Sequence, residues 1–165
     1  MPQAPNAPTI RPATPADIPA LLVLDRSCPS AAHWTEAQYH DLFAGSQSLN
    51  RLVLLVESHI PHQSPNILGF LVARHLAPEW ELENIVVAAS ARRKGIGARL
   101  LDALLSQTKA TDSAAVFLEV RESNTAARAL YAKAGFEETG RRKSYYANPP
   151  EDAILYRLVV RPAIP

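Results

Sequence analysis

The 165 residues include a single cysteine, Cys28, and no apolar run that approaches the ~20 residues needed for a membrane-spanning helix. A lone cysteine excludes an intramolecular disulfide, and it cannot build a metal cluster by itself. Surplus charge of either sign is also lacking: 17 Lys and Arg stand against 16 Asp and Glu, a net +1. Nothing in that balance suggests a protein that clings to nucleic acid through bulk electrostatics. The first eight residues lack the basic start and apolar segment of a secretory signal, so they read as a flexible tail ahead of a single domain over 9–161. The expectation is a cytoplasmic protein, a monomer or weak dimer, with no membrane or direct nucleic-acid partner. The five histidines, His33, His40, His59, His62 and His75, show no metal-ligand spacing, so no metal is expected.

A composition of 47% hydrophobic and 20% charged residues belongs to a globular chain. Residues 9–13 read as an edge strand. Thr14 caps a helix that runs to about Arg26, with Pro15 in its first position and Asp17 in its first turn. Thr35 and Gln38 make a capping box for a helix over 36–44, which Gly45 terminates. Residues 52–58 and 68–75 form a hairpin around a proline-rich turn at 60–66. A strand over 80–87 leads through a glycine turn into a helix over 97–107, with Leu101, Leu104 and Leu105 on one face. A strand over 115–121, a helix from Asn124 to Gly135, and strands over 136–146 and 154–160 complete the pattern. This order predicts an α/β (α+β) domain, a mixed sheet with helices on its faces.

The most informative stretch is the turn Arg92-Arg93-Lys94-Gly95-Ile96-Gly97-Ala98. A helix start offers backbone N–H groups without intrahelical partners and a positive dipole, both suited to phosphate oxygens. Gly95 and Gly97 let the backbone come close to a bulky ligand and adopt φ > 0. The spacing has no third glycine of a dinucleotide fingerprint and no Gly-Lys-Ser/Thr ending of a nucleotide-triphosphate loop. A plain structural turn and an anion site both remain compatible with these residues.

Arg92-x-x-Gly95-x-Gly97-Ala98 resembles the acetyl-CoA pyrophosphate loop of the GNAT acetyltransferases. Asn84-Ile85-Val86-Val87 before it, and Phe117-Leu118-Glu119-Val120, Asn124-Thr125-Ala126-Ala127, Ala129-Leu130-Tyr131, Gly135-Phe136 and Arg141 to Tyr146 after it, resemble the RimI branch of ribosomal-protein-alanine N-acetyltransferases. The match is close over about 80–160 and loose before it. The resemblance implies a GNAT fold, a mostly antiparallel sheet whose fourth and fifth strands splay to admit the pantetheine arm. It also implies acetyl-CoA as cosubstrate and a protein N-terminus as acceptor, alanine of a small ribosomal subunit protein. A GNAT acting on a small amine or lysine side chain, and a silent acyl-CoA sensor, are the rival readings.

Alternation along 116–120 turns Glu119 away from Val116, Leu118 and Val120. It is either a solvent-facing carboxylate or a general base, the role the resemblance implies. Tyr131 is either core or the general acid that protonates the departing thiolate, and Asn124 is a cap that in the family also bonds pantetheine. The backbone of Ile85, Val86 and Val87 is implied to pair with pantetheine and to polarise the thioester carbonyl, with Arg92, Arg93, Lys94, Gly95, Ile96, Gly97 and Ala98 around the pyrophosphate. Glu81 and Glu83 are rival bases or ligands for the substrate amine. Tyr145, Tyr146 and Trp34 either border the peptide groove or simply pack. Direct transfer is expected, because Cys28 is read as far from these motifs and without an activating partner. The run Arg141-Arg142-Lys143 reads as a solvated edge.

Overall fold

The computed structural model describes residues 6–160, so the first five residues of the expected tail, and Arg161 at the end of the expected domain, lie outside the described residues. Its strands are β1 (Thr9–Pro12), β2 (Arg51–Ser58), β3 (Asn66–Leu76), β4 (Glu79–Val87), β5 (Ala115–Arg121), β6 (Glu137–Ala147) and β7 (Pro150–Val159). The helices are α1 (Ile18–Ser27), α2 (Glu36–Asp41), α3 (Ile96–Ala110) and α4 (Thr125–Lys133). Strands hydrogen-bond in the order β1-β2-β3-β4-β5-β7-β6. The β1–β2, β5–β7 and β6–β7 pairs are antiparallel, whereas β4 and β5 run parallel. This is the mixed, mostly antiparallel sheet with helices that the sequence predicted. Among the described residues no helix is long and apolar enough to cross a membrane.

Two compact units are distinguished, and the division runs through β3, β4 and α3. The first holds residues up to Ala73 together with Asn84–Leu100. Its core joins Ile18, Leu21 and Leu22 of α1 and Tyr39 of α2 to Val53, Leu55, Phe70, Val72 and Val86 of the strands. The chain enters α1 through a short 3-10 turn, Pro15–Asp17, rather than directly through the α-helical first turn expected. The Asp17 carboxylate takes the Thr14 N–H at 2.7 Å and is itself held by Arg11 at 2.8 Å. The Thr35–Gln38 capping box forms, but α2 stops at Asp41, short of the expected 44, and its C-cap Leu42 is buried in the core. Gly45, at φ +55°, opens a 3-10 segment instead of closing the helix.

The second unit holds Arg74–Glu83 and residues from Leu101 onward. On α3 the fully buried leucines are Leu100, Leu101 and Leu104, while Leu105 is only half-buried, so the apolar face is rotated from the one expected. Asn124 caps α4 as expected, accepting the Ala127 N–H at 3.2 Å, and Gly135 leaves the helix at φ +98°. Here β4 registers with β5 from Glu79↔Ala115 to Glu81↔Phe117. Over its whole length, from Ala115 to Arg121, β5 pairs with β7.

Candidate active site

In the first unit, β4 ends at Val87 and a 3-10 turn, Ala89–Ala91, leads to the basic loop. Arg93 and Gly95 both have positive φ, 60° and 76°. Gly97, expected to share that conformation, instead lies within α3 and has no positive φ. A Cβ on Gly95 would meet nothing within 4 Å, so the left-handed backbone, not crowding, is what calls for glycine there. The first α3 bond runs from Arg99 N to Gly95 O at 3.0 Å, and the N–H groups before it lie at the open helix start. Arg92, Arg93 and Lys94 are exposed around it. This donor set, main-chain amides plus three exposed cations, fits a diphosphate.

Arg92 makes a contact that the sequence did not suggest. Its Nη2 lies 3.4 Å from Sγ of Cys28, which also meets Ser30 Oγ at 3.3 Å. Cys28 is thus not remote from the coenzyme motif and does have a polar partner, because the end of α1 folds back onto the loop 64 residues later in the chain. It is buried, however, with 5% of its surface exposed, which leaves a poor nucleophile for an acyl relay. Trp34 packs on Tyr39, ring centroids 5.7 Å apart, and covers the core. Tyr39 lies within 3.5 Å of the Asn84 amide, and burial pushes its phenol pKa well up.

In the second unit, Glu119 lines a half-open recess of about 270 Å³ with Phe117 and Leu155 among its apolar walls and Glu79, Arg142 and Arg157 among its charged ones. Its carboxylate is neither buried alone nor freely solvated. Arg142 Nε lies 2.8 Å from Oε1, and the Tyr145 phenol donates to the same carboxylate. That bond, with the carboxylate's charge, raises the pKa of Tyr145. The run Arg141-Arg142-Lys143 is therefore not simply a solvated edge, since Arg141 also pairs with Glu122 at 2.7 Å and Asp152 at 2.9 Å.

Local backbone explains why Arg142 and Tyr145 both reach Glu119. Arg142 registers with Ala153, which registers with Arg121, so Arg142 shares a sheet face with Arg121 and Glu119. Regular alternation would turn Tyr145, three residues on, to the opposite face. A bulge between Arg142 and Tyr146, with Ser144 at φ +50°, restores it to this one. Asp152 fixes the bulge by accepting the Ser144 N–H at 2.8 Å. Tyr146 lies under the Arg121 guanidinium at 4.1 Å and edge-on to Tyr145. Burial, then the charge of Glu119, raises its pKa.

The rival carboxylates are committed elsewhere: Arg74 binds Glu81 at 2.6 Å and lies 3.8 Å from Glu83. Tyr131 is buried among Phe136 and Tyr156, at 5.8 and 6.0 Å between centroids, so the core role is real. Burial holds its phenol protonated far beyond neutral pH, the form a general acid needs.

The acetyltransferase (GNAT) family model matches residues 19–136, and the chain belongs to that family. It is 32% identical over 146 residues to the [ribosomal protein bS18]-alanine N-acetyltransferase of Salmonella typhimurium, covering 87% of this chain and 92% of that protein. The Haemophilus ducreyi protein of the same name is 35% identical over 99 residues, 58% of this chain and 68% of its own. The crystal structure of the ribosomal-protein-S18-alanine N-acetyltransferase from Escherichia coli superposes with a TM-score of 0.79 at 29% identity, over 96% of this chain and 97% of that one.

Sequence reasoning missed Arg142 as the partner of Glu119 and gave no part to Gly69. At Gly69 an added Cβ would stand 2.8 Å from the Val86 carbonyl oxygen and 3.0 Å from Ile96 Cγ2. A glycine inside a strand pattern signals close backbone approach, and that signal was present.

Proposed function

We propose that this chain transfers the acetyl group of acetyl-CoA to the N-terminal α-amine of a protein, the alanine terminus of ribosomal protein bS18 named for its relatives, by direct attack within a ternary complex. It does so as a single-domain cytoplasmic monomer or weak dimer. One observation carries the reading. Glu119 stands in mid-strand and lines a half-open recess, partnered by Arg142 and Tyr145, which are themselves exposed.

Acetyl-CoA supplies an activated thioester. The amides of Arg92 to Ala98, with the Arg92, Arg93 and Lys94 side chains, hold its diphosphate, and the backbone of Ile85, Val86 and Val87 pairs with the pantetheine arm as an added strand would. One N–H of the segment polarises the thioester carbonyl, a contribution of ~3 kcal/mol where such donors have been removed singly. Asn124 holds the start of α4 and bonds the arm.

An N-terminal amine of pKa about 8 is mostly protonated at neutral pH and cannot attack until it loses a proton. Glu119 accepts that proton, directly or through a water, and Tyr131 returns one to the leaving sulfur. Glu81 and Glu83 stay ion-paired with Arg74 and border the acceptor, as do Tyr145, Tyr146 and Trp34.

The test is incubation with acetyl-CoA and peptides beginning Ala, Ser or Met, with the acetylated atom mapped by mass spectrometry. Acetylation of the α-amine of the alanine peptide is the expected result. Turnover of polyamines or lysine side chains alone, or tight coenzyme binding with no turnover, overturns it.

A further inference from the structure

Glu119 already holds a cation. Its carboxylate is 22% exposed and bonds Arg142 Nε at 2.8 Å, whereas the Arg142 side chain is 57% exposed and ends in solvent. A substrate amine arrives as an ammonium, which seeks the same oxygen. The Tyr145 phenol at the same carboxylate is a neutral group and so does not stand in for Arg142 as counter-ion. Asp152, itself paired with Arg141, accepts the Ser144 N–H and pins the bulge beyond Arg142, whose exposed guanidinium lies 5.6 Å over the Tyr145 ring. Cations elsewhere in the recess are less available, because Arg157 is paired with Glu79.

We propose that Arg142 is a displaceable counter-ion of Glu119, a specificity-determining residue that the incoming ammonium must replace and that returns to the carboxylate once the amine has become a neutral amide. This rests on the base role proposed for Glu119. The pair neutralises Glu119 between turnovers, and its return disfavours retention of the acetylated product, which no longer carries the charge that displaced it. The exposed side of the pair makes the exchange inexpensive: half-exposed ion pairs hold by up to about 1 kcal/mol, a factor of about five in affinity.

The experiment is calorimetric binding of a peptide that begins with N-trimethylalanine, permanently cationic and unable to react, to the coenzyme A complex of the full chain. In Arg142→Gln the cationic peptide binds about fivefold tighter than in the parent, and the same peptide with a neutral N-acetyl terminus shows no comparable gain. Arg142→Lys, which keeps the charge, restores parental affinity. The gain disappears when Arg142→Gln is made in a Glu119→Gln background, as coupling through that carboxylate requires. Unchanged or weaker binding of the cation in Arg142→Gln, an equal gain for the neutral peptide, or a gain that survives in the Glu119→Gln background each overturns the proposal. Kinetics of Glu119→Gln alone test the base separately: full turnover in that variant sinks the base role, whereas lost turnover with no Arg142 effect sinks only the counter-ion.

Discussion

Gly69→Ala is a small change that reaches directly from the fold to the coenzyme site. The added methyl stands 2.8 Å from the Val86 carbonyl oxygen, 3.0 Å from Ile96 Cγ2 and 3.5 Å from Val87 Cα. Two of these three atoms are backbone, and ordinary contact begins near 3.4 Å, so β3 and the end of β4 must part by about half an ångström. Overpacking of this kind costs roughly 1–3 kcal/mol. For a small domain with a urea dependence of about 1–3 kcal/mol per molar, that lowers the unfolding midpoint by roughly 1 M. The displaced atoms belong to the segment proposed to pair with pantetheine and to the first residue of α3, so acetyl-CoA affinity falls as well. Urea titration read by circular dichroism and calorimetry with acetyl-CoA measure the two effects. Gly140→Ala, where a Cβ meets nothing within 4 Å, serves as control and stays within about 0.5 kcal/mol of the parent. A Gly69→Ala protein with the parental midpoint and coenzyme affinity would refute the close-approach argument.

Replacing Glu119 by Gln removes the proton acceptor and lowers kcat by about 10²–10⁴, while acetyl-CoA affinity holds, which stopped-flow kinetics and calorimetry separate. Arg92→Ala removes one charged donor to the diphosphate and raises the coenzyme KM roughly 10- to 100-fold, from ~1.5–3 kcal/mol for a charge-assisted bond; an unchanged KM would take Arg92 out of the cradle. Arg11 binds Asp17 at 2.8 Å and Glu57 at 3.0 Å, and those bonds hold both carboxyls below their ordinary pKa. Their stabilisation is complete above the unfolded carboxyl range, about pH 4, and is lost as pH falls through the lower folded values. Thermal melts of Arg11→Met from pH 7 to pH 2 are expected to start about 2 kcal/mol less stable, since Glu57 is nearly buried, and to show a flatter acid limb. Equal acid sensitivity in both proteins would contradict this.

Much of the architecture was legible because its signals are local. The Thr35–Gln38 box, the Asn124 cap and the positive-φ glycines at 95 and 135 each act within a few residues, and strand periodicity correctly turned Glu119 away from Leu118 and Val120. Where a local rule met tertiary demand, it gave way. α2 ended at Asp41 with Leu42 in the core beyond it, and the buried face of α3 moved to Leu100 because packing, not the Leu count, sets rotation about the axis. Trp34 shows the same dependence: that its ring lies against Tyr39 is set by the fold and by no spacing along the chain.

By itself the sequence determined which chemistry is available: a basic, glycine-bearing turn at 92–98, a carboxylate at 119 and a phenol at 131, each fixed by residue type and by periodicities of two or 3.6 residues. Only the tertiary structure decided what those groups touch. Arg142 and Tyr145 meet on Glu119 because a bulge adds residues to β6 and undoes the alternation that the sequence alone predicts. Arg92 meets Cys28, and Gly69 meets Val86, because folding brings together segments that no short-range pattern connects. Period and propensity are properties of neighbours along the chain, whereas strand register and close approach are settled by the packing of the whole.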